Sequence, residues 1–488
     1  MRLTDRPTWK FLEWQAQSLP SGPARLRWPR QIESDLLVLD YAAQRMDDSG
    51  LQGLIALAND CQLPHKIDAL LSGQVVNRSE NKPAFHSLLR AFEGSKLVPM
   101  HPWFEQVAHT RARMGDIAQT IREGRWLGST GKPITAVVNI GIGGSHLGPQ
   151  FTVNALASQV IDTLSFHFLS SRDPYAFERV TRHLSPETTL FIVSSKSFQT
   201  QETLEHAREA MAWYGQSGAL AQHFIAVTAE PGRARALGLE HVLPIWDWVG
   251  GRFSMCSAIN LITCIAIGFE EFVELLRGAH AMDQHFRYRE FDQNIPVLMA
   301  LLGIWNNNFL HRHQLLILTY AHDLQDLTAY IQQLDMESNG KSVDEQGRRV
   351  NYATGPMVWG GLGNLAQHSY YQLLCQGTHQ FAADLVSIDA FDGHLVNHMC
   401  AAHRQVLSQG VSSPDLHTSI AGHVPLNHLR LKNNGPRALG ELIAAYEHKI
   451  FVQGVIWNIN SFDQPGVESA KILVKQAMQD ASRVESLV

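Results

Sequence analysis

Five short, mostly apolar runs crowd the middle of the first half of the chain, at 134–140, 164–169, 189–194, 224–228 and 242–246. Segments with helical spacing separate them. Short apolar strands alternating with helices predict a parallel sheet covered on both faces. A less regular version of the pattern follows, with strands expected near 315–319, 356–359 and 382–388. Residues before about 115 read differently. Apolar positions recur at helical spacing in 36–41 and 51–58, so this part is expected to be helical. Helix is also expected over 271–313 and 438–459, and another from Pro465, which suits a first helical turn. The stretch 411–436, rich in Ser, Pro, His, Asn and Gly, reads as an irregular excursion.

Composition narrows the classes of protein this can be. The 488 residues carry a formal charge of −6, which offers no basic footprint for nucleic acid. Apolar runs stay far short of the roughly 20 residues that span a bilayer, and the N-terminus lacks the apolar core of a signal peptide. Cys61, Cys256, Cys264, Cys375 and Cys400 are odd in number and scattered. That pattern points to a reducing compartment, and a cytoplasmic protein is expected. His394 and His398 are four apart, but no H-E-x-x-H frame or carboxylate cluster completes a metal site.

Two strand ends carry the first chemistry. Val137 to Pro149 runs from an apolar strand into Gly141-Ile142-Gly143-Gly144-Ser145-His146 and then a helix start. Bare backbone at a helix N-terminus makes an anion site, with Gly144 and Ser145 at its centre. The second strand end is Ser194-Ser195-Lys196-Ser197-Phe198-Gln199-Thr200, followed by Glu202 in the next helix. Ser195, Ser197 and Thr200 can donate to a phosphate, and Lys196 can add charge or only its backbone N–H. Two such turns beyond the carboxyl ends of one sheet favour a phosphorylated small molecule. Three further groups stand out. Arg252, after Gly250-Gly251, can stabilise an oxyanion or form a surface ion pair. Glu337, in Gln332 to Lys341, is either a solvated helix residue or a proton shuttle aimed into a cleft by Ser338-Asn339-Gly340. His368, in Gln367 to Gln372, is either an acid–base group or a structural histidine.

Taken in order, these motifs resemble the glucose-6-phosphate isomerase family. The resemblance spans roughly 73–475 and includes Tyr446 to Gly454 and Asn460 to Glu468. It implies an α/β fold of two sugar-isomerase (SIS-type) domains, each with a parallel sheet between helices, plus helical terminal segments. The divisions expected are 1–115, packing on the second domain, 116–285, 286–475 and a tail over 476–488. It further implies interconversion of glucose 6-phosphate and fructose 6-phosphate, without metal or organic cofactor, in a homodimer. By resemblance Glu337 is the base of an enediol proton transfer and Arg252 steadies the enediolate. His368, donated across the dimer interface, and Lys471 serve ring opening. Gly144, Ser145, Ser195, Lys196, Ser197 and Thr200 hold the phosphate, Gln333 and Gln464 touch substrate, and Glu202 orients the histidine. Departures cluster near the site: His146 stands where the family has Asp, and Ser171 where it has Asn. Gly363-Asn364-Leu365-Ala366-Gln367-His368 replaces Gly-Thr-Asn-Gly-Gln-His, Pro465 replaces Trp, and Ser469-Ala470 replaces Leu-Gly. A non-catalytic sugar-phosphate sensor is the competing reading. It would keep the phosphate turns but would not need Glu337, Arg252, His368 and Lys471 together.

Overall fold

The computed structural model describes residues 2–19, 30–95, 101–215, 220–473 and 476. The expected tail over 476–488 lies outside them apart from its first residue. In chain order, β1 (Gln31–Glu33) and β2 (Leu37–Ala43) are followed by a small hairpin of β3 (Val75–Asn77) and β4 (Lys82–Pro83). Next come β5 (Ala136–Ile140), β6 (Ser165–Leu169), β7 (Thr189–Ser194), β8 (Phe224–Thr228) and β9 (His241–Pro244). The last four are β10 (Gln314–Thr319), β11 (Met357–Leu362), β12 (Ala382–Ile388) and β13 (Leu426–Leu431).

The first sheet has the order β6-β5-β7-β8-β9, and every neighbouring pair is parallel. All residues of β5, β7 and β8 are buried. That is why these strands read as unbroken apolar runs, since helices cover both faces. The strands lie within two residues of the apolar runs that predicted them.

The second sheet has the order β1-β2-β13-β12-β10-β11. Strands β13, β12, β10 and β11 are parallel, whereas β2 runs antiparallel to β13 and β1 antiparallel to β2. Two expectations are corrected here. The run at 36–41 is strand, not helix: Leu37, Val38 and Leu39 are all buried, because β2 is covered on both faces once it joins the sheet. Residues 1–115 therefore supply β1 to β4 as well as helices Pro7–Gln17, Asp48–Asp60, Leu63–Leu71 and Phe104–Arg122. The irregular stretch 411–436 contains β13. Its polar residues hid the strand, and inside the sheet they find partners: Asn427 donates to Asp384 at 2.8 Å and His428 pairs with Ser387 at 2.8 Å.

Helix Pro436–Trp457 is buried along nearly all its length and packs along helices Phe269–Tyr288 and Ile295–Ile304. Its consecutive Tyr446, Glu447, His448 and Lys449 are buried too. Buried ionic groups require partners, and each has one. Arg90 donates to Glu447 at 2.5 Å and grips both oxygens of Asp283 at 2.8 and 2.7 Å. His448 Nε2 meets Asp283 at 2.6 Å, and Tyr446 donates to Asp384 at 3.0 Å. Lys449 Nζ lies 3.1 Å from Asp335, two residues before Glu337. This last pair anchors the segment that carries the carboxylate to the central helix.

Candidate active site

Strands β5 and β7 are neighbours, so the turns at their carboxyl ends open on one edge of the sheet. After β5 the chain turns at Gly143, whose φ of 58° suits glycine. Gly144 then starts helix Gly144–Ala155, and a Cβ on it would lie 2.0 Å from the Gly251 carbonyl oxygen. The glycine turn thus packs backbone to backbone against the turn that carries Arg252. Pro149 sits inside this helix and has no N–H to give the Ser145 carbonyl four residues earlier. Asn139, fully buried in β5, fills that role with its Nδ2 at 2.9 Å. Its Oδ1 accepts from Ser194 Oγ at 3.2 Å, at the end of β7. One side chain therefore ties the two anion turns together.

Beyond β7, Ser195 Oγ donates to Thr200 Oγ1 at 3.3 Å, and Thr200 is the N-cap residue of helix Gln201–Tyr214. Ser197 is exposed, while Phe198 between them is buried at a φ of 48°. The Lys196 ammonium turns away from this edge. Its Nζ donates to the carbonyls of Asp247 and Val249, both at 2.8 Å. The side chain thus staples this turn to the Trp246–Ser254 region, which leaves the backbone N–H as the group Lys196 could offer an anion. Burial pulls the Lys196 pKa down from the ordinary lysine value.

Glu337 closes a π-helical turn, Gln332–Glu337, a geometry that recurs at functional sites. Its Oε2 accepts from Gln333 Nε2 at 3.0 Å and lies 3.5 Å from Arg252 Nη1. Gln333 Nε2 also lies against Gly143, where a Cβ would stand 3.0 Å away. The carboxylate, the guanidinium and the glycine turn thus meet. Arg252 is 4% exposed. Its Nε donates to Ser338 Oγ at 2.6 Å, Nη1 to Gln464 Oε1 at 3.0 Å, and Nη2 to the Ser461 carbonyl at 2.6 Å. Burial draws its pKa below the ordinary guanidinium value, and Glu337 and then Asp463 oppose the shift. It remains a fixed cation at neutral pH.

Lys341 is a half-buried cation beside this cluster, with no role expected from the sequence. Its Nζ reaches the carbonyls of Glu337, Ser338, Asn460 and Asp463 at 2.8–3.2 Å and the Asp463 carboxylate at 3.2 Å. Asn339 bonds the Ile450 carbonyl at 3.0 Å and accepts from Ser461 Oγ at 2.7 Å. These two residues lock the Glu337 segment to the 460–464 loop that holds Arg252. Their signal was their place directly after Glu337.

The remaining candidates make no bond to the Glu337–Arg252 cluster among the described residues. His368 is exposed, in the turn after helix Gly363–Ala366. Lys471 lies in a helix over 465–473, exposed, and pairs with Glu468 at 2.9 Å. Glu202 is half-buried in the first turn of helix Gln201–Tyr214. His146 does not cap a helix. Its ring meets Phe168 edge-on at 5.9 Å, and burial lowers its pKa.

A parallel sheet with glycine and serine turns at one edge, beside a carboxylate and a buried guanidinium, suits proton transfer on an anionic small molecule. The phosphoglucose isomerase family profile matches residues 40–416 and 394–487. The glucose-6-phosphate isomerase of Legionella pneumophila strain Lens is 56% identical over 478 residues, covering 96% of each chain. That of Pseudomonas fluorescens strain Pf0-1 is 42% identical, covering 97% of this chain and 93% of its own. The crystal structure of a glucose-6-phosphate isomerase from Chlamydia trachomatis superposes with a TM-score of 0.91 at 29% identity, covering 99% of this chain and 97% of that one. The chain belongs to the phosphoglucose isomerase family.

Proposed function

We propose that this protein interconverts glucose 6-phosphate and fructose 6-phosphate by ring opening and enediol proton transfer. The observation that carries the reading is Glu337 Oε2 held 3.5 Å from the buried Arg252 guanidinium, beside the glycine turn. In the open-chain sugar Glu337 takes the proton from the carbon next to the carbonyl and returns it to the neighbouring carbon. Such a base contributes roughly 10²–10⁴-fold. Arg252 neutralises the oxyanion of the enediolate in a water-poor setting, where a preset charge costs no reorganisation. One carbon is oxidised as its neighbour is reduced, so the reaction needs no external redox partner.

Ser145, Ser195, Ser197 and Thr200, with the Gly144 and Lys196 backbone, take the phosphate on the shared sheet edge. Gln333 and Gln464 orient the sugar through their bonds to Glu337 and Arg252, and Glu202 steadies the ring-opening histidine. His368 and Lys471 open the ring, with His368 supplied by the other subunit of a homodimer. Its exposure, next to Leu365 at 59% and Leu373 at 41% exposed, supports a face that a second copy covers. Residues 116–285 and 286–475 form the two domains, with 1–115 joined to the second. A cytoplasmic location fits the five free cysteines and a glycolytic and gluconeogenic role.

A coupled assay in both directions tests the reading. The wild-type protein is expected to turn over both sugars, while Glu337→Gln binds them and loses at least 10²-fold in rate. Binding without turnover by the wild-type protein would favour the sensor reading instead.

A further inference from the structure

A cavity of about 620 Å³ shares no lining residue with the catalytic cluster. Its walls come from the N-terminal turn, helix Leu63–Leu71, the β3–β4 hairpin, the 344–352 loop and the end of helix Pro436–Trp457. Six cations line it: Arg2, Arg6, Lys66, Arg78, Arg348 and Arg349. Three carboxylates face them, Asp60, Asp344 and Glu345. The cavity is therefore cationic in a chain whose net charge is −6.

Two of the three carboxylates are already paired with cations. Glu345 pairs with Arg78 at 3.0 Å and Asp344 with Arg348 at 2.8 Å. Asp60 accepts from Thr8 at 2.8 Å, and its carbonyl takes the Arg6 guanidinium at 2.7 Å. Of the six cations only Arg78 and Arg348 are in ion pairs among the described residues; Arg6 is taken by a carbonyl, which leaves Arg2, Lys66 and Arg349. These three come from segments far apart in sequence, and only the fold brings them to one concavity. Scattered single cations are ordinary surface, but convergence on a cavity of metabolite size is a different arrangement.

We propose that this cavity binds a small organic anion carrying two phosphoryl groups. Two guanidinium forks and an ammonium match the several negative charges of such a ligand, and guanidinium recognises phosphate oxygens in pairs. A single phosphate would occupy a small part of the volume and leave cations unmatched. The concave shape and the acidic remainder of the chain disfavour a polymeric anion.

Isothermal titration with the full-length protein tests this. Saturating fructose 6-phosphate keeps the catalytic site occupied while pyrophosphate, with joined phosphoryl groups, or fructose 1,6-bisphosphate, with separated ones, is added. Saturable binding of either at one per chain is expected. The double substitution Lys66→Ser with Arg349→Ser should weaken it about tenfold or more, and Lys132→Ser, at a lysine remote from the cavity, should not. Arg349 is exposed and Lys66 half-buried, and unchanged isomerase activity of the double variant confirms its fold. Absence of saturable binding by both probes overturns the proposal, as does equal affinity in the wild-type and double-substituted proteins.

Discussion

Asn139 offers the sharpest test of how the two anion turns work together. The substitution Asn139→Ala removes the donor to the Ser145 carbonyl at 2.9 Å and the acceptor for Ser194 at 3.2 Å. The carbonyl loses the group that stands in for the missing Pro149 N–H. An orphaned buried polar group costs about 1–3 kcal/mol, and only part of this reaches the ligand. If about 1–2 kcal/mol of phosphate binding is lost as the turns separate, affinity falls roughly 5- to 30-fold. The phosphate is unchanged in the reaction, so its contacts stabilise ground and transition states alike. KM should rise by that factor with kcat nearly constant. Steady-state kinetics in both directions, with inorganic phosphate as a competitive inhibitor, reads this directly: KM and the phosphate inhibition constant should rise together. Ser194→Ala, which removes only the longer of the two bonds, should show a smaller rise. A lowered Tm with wild-type KM and phosphate inhibition would refute the reasoning, because Asn139 would then serve the strand alone. A collapse of kcat at constant KM would refute it differently, by placing the glycine turn in the chemistry.

Other consequences follow from the same geometry. Arg252→Lys is expected to lower kcat about 10²–10³-fold, because an ammonium cannot reproduce the planar fork across Ser338, Gln464 and Ser461; a loss under about tenfold in kcat would contradict that role. Burial, then the Arg289 charge, pulls the His285 pKa to about 4, and burial, then Arg404, pulls His428 to about 3. Their unfolded values lie near 6.5, so the unfolded chain binds the extra protons. Each histidine's stabilising contribution is complete above about pH 6.5 and is lost below it, by about 1.4 kcal/mol per pH unit down to the folded value. Denaturant midpoints measured between pH 7 and 5 should fall accordingly, and His428→Gln should flatten the slope by one proton; an unchanged slope rejects the assignment. Arg90→Met leaves Asp283 and Glu447 buried without their cation, and about 3–5 kcal/mol of stability should go with it. Thermal unfolding checks this, and an unaltered Tm would show that the pair carries no such weight.

Some of these elements were legible in the chain and others were not, for identifiable reasons. Strands β5, β7 and β8 are buried on both faces, so their composition alone announces them. Strand β2 has the same apolar density, but its short run fits helical and strand periods equally, and only pairing with β13 decides between them. Strand β13 carries Asn427, His428 and Arg430, residues that look like loop until Asp384, Ser387 and Asp389 meet them across the sheet. The four residues Tyr446 to Lys449 read as part of a helix, and their burial in ion pairs and hydrogen bonds was invisible without the elements around them.

The catalytic candidates divide along the same line. The sequence by itself determined the kinds of group present and their order: two phosphate-type turns, Arg252 behind two glycines, and Glu337 just ahead of Ser338-Asn339-Gly340. Those follow from local rules, because a turn, a helix start or a charge needs only its neighbours in the chain. Which groups touch was decided by tertiary structure alone. Lys196 directs its ammonium to the carbonyls of residues 247 and 249, and Asn139 and Lys341 become the joints of the site. His368 and Lys471 are exposed in the single chain. Hydrogen bonds between segments up to 212 residues apart, such as Arg252 to Gln464, exist only once sheets and helices have packed, and no local pattern encodes them.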